Sequence, residues 1–182
     1  MNFEKTVTLK DGRNCLLRNG VTSDGKAVLD VFNRTHEETD YLLTYSDENC
    51  FTASQEADFL QRKTDSTNTV EIIAIVDGVV AGTAGIDALG MRDKIKHRAV
   101  FGIAITKEFW GLGIGKYLME ACIECAREAG YLQLELEVVA ENERAVEMYR
   151  RAGFIEYGRN PKAFRLRTGE YQELIDMRLE LK

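Results

Sequence analysis

The sequence predicts a fold of the α/β (α+β) class, a mixed sheet covered by helices. Three stretches carry that expectation. Residues 70–76 and 79–86 are β-rich runs on either side of Asp77-Gly78, the strongest hairpin signal in the chain. Residues 100–118 pass from an apolar β-rich run, through the turn Trp110-Gly111-Leu112-Gly113-Ile114-Gly115, into an amphipathic helical pattern. Residues 132–138 alternate in polarity, and a capped helical stripe follows them. The predicted order is β-β-α-α-β-β-β-α-β-α-β-β, without repeats, linkers or low-complexity tracts.

Taken in order, residues 6–9 and 14–18 are strand-like pieces around Lys10-Asp11-Gly12-Arg13, where Asp-Gly reads as a hairpin turn. Ser23 or Asp24 stands where a cap is needed for a helix reaching about Thr39, with Ala27, Val28, Val31 and Phe32 along one side. Residues 36–51 become irregular and acidic, with Glu37, Glu38, Asp40, Asp47 and Glu48 beside Tyr41 and Tyr45. Thr52-Ala53-Ser54-Gln55 matches a capping box and opens a second helix that ends near Lys63. Polar loops at 64–68 and 88–96 flank the 70–86 hairpin, and a strand at 98–105 feeds the glycine turn. The next helix runs from about Gly113 to Ala129, because Ile114, Leu118, Ala121, Cys122, Cys125 and Ala129 recur at helical spacing. Gly130 is a natural residue just past its end. In residues 132–138 the leucines and Val138 share one face, and Gln133, Glu135 and Glu137 the other. Asn142 caps a short helix with Ala145, Met148, Tyr149 and Ala152 on one stripe, closed by Gly153. Residues 154–158 and 171–181 are the closing strands, joined by a basic loop that holds Pro161.

A chain of 182 residues is expected to be one domain, 1–182. At this size about 70% of the unfolded surface is buried, so no covalent staples are needed. The net charge of −6 argues against general binding to nucleic acid or an anionic membrane. The apolar stretches are far short of a membrane span, and the N-terminus lacks the long apolar core of a secretory signal. A cytoplasmic enzyme or binding protein is expected. Cys122 and Cys125 form a C-x-x-C inside a helical pattern, with no second such pair and with His36 and His97 distant. Packed, reduced thiols are expected there, and no metal.

The turn at 110–115 carries the chemistry. A strand, a glycine turn and a helix N-terminus make an anion site, because the first-turn N–H groups and the helix dipole point outward. It is not a dinucleotide fingerprint, since G-x-G-x-x-G from Gly111 would need glycine at Lys116. It is not a Walker loop, since Tyr117 follows Lys116 and Trp110 holds the first-glycine position. Gly111, Gly113 and Gly115 leave amides bare, and Lys116 either adds positive charge or is a solvated helix residue. Ile103 and Ile105 alternate with Gly102 and Ala104, as a strand whose edge can pair with an amide-bearing arm, or as ordinary core residues.

A second motif, Asn142-x-x-Ala145-x-x-x-Tyr149-x-x-x-Gly153-Phe154, follows the alternating strand. Together the two motifs resemble the GNAT superfamily of acetyl-CoA-dependent N-acetyltransferases, over roughly residue 70 to the C-terminus. The resemblance implies a mostly antiparallel central sheet, splayed between the two strands that bracket the CoA-binding helix. It implies CoA pyrophosphate on the backbone of Trp110, Gly111, Leu112, Gly113, Ile114, Gly115 and Lys116. It places pantetheine beside Ile103, Ala104 and Ile105, with Asn142, Ala145 and Tyr149 on the far side. Trp110 departs from the family's Q/R, so its indole is expected to pack beside the turn or against the nucleotide.

The implied mechanism is direct transfer to an amine of a small molecule, a protein N-terminus or a lysine. A backbone N–H near Ile103 steadies the oxyanion and Tyr149 protonates the departing thiolate. Read without the family, Tyr149 is a core tyrosine on a helix stripe. An ammonium must first lose a proton, so a base is expected, with Glu135 named first among Glu137, His97, Glu37 and Glu38. The alternative is a catalytically silent acyl-CoA-binding regulatory module. Partners are then acetyl-CoA and an amine, with a homodimer through residues 171–181.

Overall fold

In this computed structural model residues 1–181 are described. The elements are β1 Glu4–Thr8, β2 Asn14–Asn19, α1 Gly25–Glu38, α2 Ala53–Asp65, β3 Val70–Val76 and β4 Val79–Ala88. They continue with β5 Arg98–Ile105, α3 Ile114–Glu128, β6 Gln133–Val139, α4 Glu143–Arg151, β7 Ile155–Arg165 and β8 Tyr171–Glu180. The twelve expected elements form in the expected order, and the eight strands make one sheet ordered β1-β2-β3-β4-β5-β6-β8-β7. Every neighbouring pair is antiparallel except β5 and β6.

Local chemistry accounts for the boundaries. The Asp77-Gly78 hairpin has positive φ at both residues, which matches the right-handed twist of β3 and β4. Thr52 accepts from the Gln55 amide while Gln55 accepts from the Thr52 amide, closing the capping box of α2. Asp24 does not cap α1 as its position suggested. Its carboxylate accepts from the Val21 amide and is held by Arg18 at 2.7 Å, and a short 3-10 turn at Thr22–Asp24 precedes the helix. The supposed basic loop is largely strand. β7 runs to Arg165, and its pairing with β8 is interrupted between Asn160 and Phe164, around Pro161. This is an edge strand with an irregularity, a place where a residue without an N–H is tolerated.

The sheet is covered on both faces. Ile73 packs with Val28 of α1 and Leu60 of α2 on one side. On the other, Ile72, Ala84, Ile86, Phe101, Leu134, Leu136 and Met177 enclose Ile114, Leu118 and Cys122 of α3. Leu118 is fully buried, so its truncation to alanine costs roughly 2–5 kcal/mol. Leu132, expected at the start of β6 on the face of Leu134, Leu136 and Val138, lies just before that strand and is 57% exposed.

The feature that positions the site is the β5–β6 junction. Parallel pairing covers only Arg98↔Gln133, Ala99↔Leu134 and Val100↔Glu135, although β5 runs on to Ile105 and β6 to Val139. The strands therefore diverge. On its other edge β5 stays paired to β4 along its whole length, so from Phe101 onward one edge of β5 has no strand beside it.

Candidate active site

The pleat sorts side chains around this gap. Ala99, Phe101, Ile103 and Ile105 share the α3 face with Leu134, Leu136 and Val138. Arg98, Val100, Gly102 and Ala104 share the α1–α2 face with Gln133, Glu135 and Glu137. One cleft of about 1620 Å3 runs through the gap and opens on both faces.

On the α3 face the cleft ends at the glycine turn. Gly111 and Gly113 have φ of +84° and +96°, which side chains with a Cβ disfavour. Gly115 is needed for a different reason, since a Cβ there would stand 3.1 Å from Met148 Sδ of α4. The amides of Gly111, Leu112 and Gly113 donate to no backbone acceptor among the described residues. Those of Ile114, Gly115 and Lys116 form the open first turn of α3. Leu112 points away from the cleft into the core, and its carbonyl accepts from the Lys10 amide at 3.2 Å. Lys116 lines the cleft but is 64% exposed and lies 3.7 Å from Glu120.

Trp110 packs beside the turn. Its Nε1–H donates to the Ile105 carbonyl at 2.6 Å, and the Arg144 and Lys107 cations lie 5.2 and 5.7 Å from its ring. The indole thus ties the end of β5 to the turn. Arg144 and Lys10 both line the cleft, and the sequence reading missed both. Arg144 had a signal: it is a cation in the first turn of a helix, against the dipole, inside the N-x-x-A segment. Lys10 had none, because the first hairpin meets the turn only through folding.

Ile103, Ala104 and Ile105 line the gap from β5, and Asn142, Ala145 and Tyr149 from α4. Asn142 accepts from the Ala145 amide at 3.3 Å, which fulfils its capping role. Tyr149 is 5% exposed, packed edge-on to Phe101 and tilted against Phe154. Its hydroxyl makes no hydrogen bond to the described residues, and burial pushes its pKa well above the ordinary phenol value. It keeps its proton at every physiological pH.

The acid and base candidates separate. Both oxygens of Glu135 accept from Arg98, one at 2.7 Å from Nη2, and Tyr157 Oη lies 3.5 Å away. Glu137 is exposed, lines the cleft one pleat further into the gap, and has no ion-pair partner among the described residues. Asp176 of β8 stands opposite it. His97 sits at the paired end of the junction, where its carbonyl accepts from Leu132 and Gln133. Glu38 accepts from the Lys107 amide and pairs with Arg34. Glu37 lies at a separate shallow depression with Asn33 and Asp47. Desolvation raises the Cys122 thiol well above its usual value and Cys125 to about 11, so neither is a nucleophile at neutral pH. Among the described residues no three His, Cys, Asp or Glu side chains are grouped to hold a metal.

Residues 28–154 match the model of the acetyltransferase (GNAT) family. The chain is 32% identical over 118 residues to the L-amino acid N-acetyltransferase AaaT of Escherichia coli K12, covering 64% of this chain and 72% of that protein. A GNAT-family acetyltransferase from Streptococcus pneumoniae superposes with a TM-score of 0.87 at 28% identity, over 91% of this chain and 99% of that one. An acetyltransferase from Salmonella typhimurium, solved with acetyl-CoA, superposes at 0.82 and 17% identity, over 93% and 95% of the two chains.

Proposed function

The chain belongs to the acetyltransferase (GNAT) family and is an N-acetyltransferase that takes its acetyl group from acetyl-CoA; on that premise we propose how the cleft divides the work. The pyrophosphate rests on the amides of residues 111–116, with Lys10, Lys116 and Arg144 supplying positive charge. The amide-bearing arm lies in the gap along Ile103, Ala104 and Ile105, where β5 has an unpaired edge, with Asn142 and Ala145 facing it. The thioester then reaches Tyr149.

A neutral amine enters from the α1–α2 face and attacks the carbonyl carbon. The C–N bond forms, the C–S bond breaks, and the sulfur leaves as thiol with the Tyr149 proton. A β5 amide near Ile103 stabilises the oxyanion between these steps. The amine's proton goes to Glu137 through water. Glu135 was the first expectation for this role, but both its oxygens are engaged by Arg98, so we assign it to holding the acceptor-side floor in place.

The observation that carries the reading is the coincidence of two features on one strand. β5 loses its parallel partner after Val100 and ends in a turn of unpartnered amides. Calorimetry with CoA and amine-dependent thiol release from acetyl-CoA test it. Binding with amine-dependent release is expected, and absence of CoA binding would overturn it. CoA binding without release for any amine would instead favour the silent module.

Residues 1–182 are read as one acetyltransferase domain. The four cysteines are unpaired, which supports a reducing, cytoplasmic setting. No helix among the described residues is long and apolar enough to cross a membrane. β8 is paired on both edges, so strand pairing with a second copy would use the outer edge of β7 or β1 rather than residues 171–181.

A further inference from the structure

The acceptor half of the cleft has a chemistry of its own. It is walled by Tyr41, Leu42, Leu43, Leu89, Val100 and Phe164. Leu43 is 79% exposed, and Leu89 and Val100 are each 39% exposed, so an occupant with an apolar body would cover surface now in water. The floor is acidic: Glu135 and Glu137 of β6 line it, and Asp176, the cross-strand neighbour of Glu137 on β8, adds negative charge behind it against Gly158.

Four arginines of β5, β7, β8 and the β7–β8 turn stand beside carboxylates. An amino acid's carboxylate is best held by a free guanidinium. Here Arg98 is bound to Glu135, Arg167 to Asp47, Arg159 to Glu156 and Glu173, and Arg178 lies 2.9 Å from Glu180. The cations that do line the cleft (Lys10, Lys116, Arg127, Arg144 and Arg151) come from the first hairpin, α3 and α4, on the donor side. A carboxylate beside the amine would face Glu137 with no lining cation on that side, while an ammonium would be attracted.

The half-cleft is also roofed. The segment after α1 starts where Glu38 accepts from the Lys107 amide, and it reaches across to the β7–β8 turn. There Arg167 binds Asp47 at 2.7 and 2.9 Å, its amide donates to Tyr45 Oη at 3.0 Å, and its guanidinium lies 4.1 Å over the Tyr45 ring. A segment tied down at both ends suits a small ligand better than a polypeptide continuing out of the site.

We propose that the acceptor is a small primary amine with an apolar body and no carboxylate beside the amine, an arylalkylamine rather than an α-amino acid. This rests on the N-acetyltransferase reading of the cleft, and it separates the chain from its E. coli relative, whose name specifies L-amino acids.

The test compares kcat/KM for phenethylamine, phenylalanine, phenylalaninamide and a peptide amide with N-terminal phenylalanine, following thiol release, beside an acetyl-CoA titration by calorimetry. Phenethylamine is expected to exceed phenylalanine by about tenfold or more, a difference of about 1.4 kcal/mol. Phenylalaninamide, its carboxyl neutralised, should also exceed phenylalanine. Phenylalanine used as well as phenethylamine overturns the proposal, as does a preference for the peptide. Acetyl-CoA binding with no turnover of phenethylamine overturns the acceptor class alone, whereas no acetyl-CoA binding overturns the donor reading beneath it. Glu135→Gln loosens Arg98 and should narrow the phenethylamine-to-phenylalanine ratio. Asp176→Asn reduces the same negative field from β8 and should move the ratio the same way. A ratio unchanged in both variants also overturns the proposal.

Discussion

Tyr149 and Trp110 are packed as structural side chains, and the roles proposed for them rest on what their polar atoms do. Tyr149 is packed among Phe101 and Phe154, as any core tyrosine would be, yet its hydroxyl has no hydrogen-bond partner among the described residues. Tyr149→Phe keeps the packing and removes the proton. We expect kcat to fall by about a hundredfold with the acetyl-CoA KM little changed, measured by thiol release. Because burial raises this phenol well above its ordinary pKa, its ionisation should add no alkaline limb to the rate profile below pH 10. A rate that falls as pH rises through 9 would contradict the assignment. Trp110 replaces a polar family residue but keeps a donor, its Nε1–H, on the Ile105 carbonyl. Trp110→Phe removes that bond, worth about 1 kcal/mol, so the acetyl-CoA KM should rise roughly fivefold while kcat holds.

At the scale of elements, the glycine turn and the β5–β6 gap work as a pair. Gly113 sits at φ +96° just before α3. Gly113→Ala should cost roughly 1–2 kcal/mol in stability, read from chemical denaturation, and should weaken CoA binding as the amides move out of line. The glycine turn and the 70–76 and 98–105 strands were legible in sequence from their glycines and apolar β-rich runs; the α2 capping box and the Asn142 cap were legible because their hydrogen bonds close within three residues. Other boundaries were misread for the opposite reason. Asp24 looked like a cap but answers to Arg18 on a neighbouring strand, and the loop around Pro161 became strand because β8 supplies partners for it. The roofing segment was rightly read as irregular and acidic, but its anchoring was not legible, since Arg167 and Asp47 meet only when the β7–β8 turn folds against it.

Across the whole molecule, one buried carboxylate makes stability depend on pH near neutrality. Glu71 of β3 lies under α2 with its pKa raised to about 7. Burial is the main cause, opposed by Lys63 at 3.9 Å and a Thr83 hydrogen bond and reinforced by Asp87 and Glu56. A carboxyl raised in the fold is bound to its proton more tightly there than in the unfolded chain. Its contribution is complete below the unfolded pKa and is lost as pH rises through about 7. The melting temperature should therefore fall between pH 5.5 and 8.5, and Glu71→Gln should flatten that slope; an equally steep variant would refute it. The same distinction governs the site. Sequence alone determined the class of fold and a turn of free amides at a helix start, because spacing along one strand, turn or helix sets which amides are free and which side chains share a face; the acid role proposed for Tyr149 came from the resemblance to the family, since spacing alone reads it as a core tyrosine. Tertiary structure alone decided where β5 and β6 part, that Arg98 occupies Glu135, that Lys10 and Arg144 join the turn, and that the acceptor half is acidic, apolar and roofed. Those features depend on partners tens of residues apart, whose meeting is set by strand register and packing rather than by local pattern.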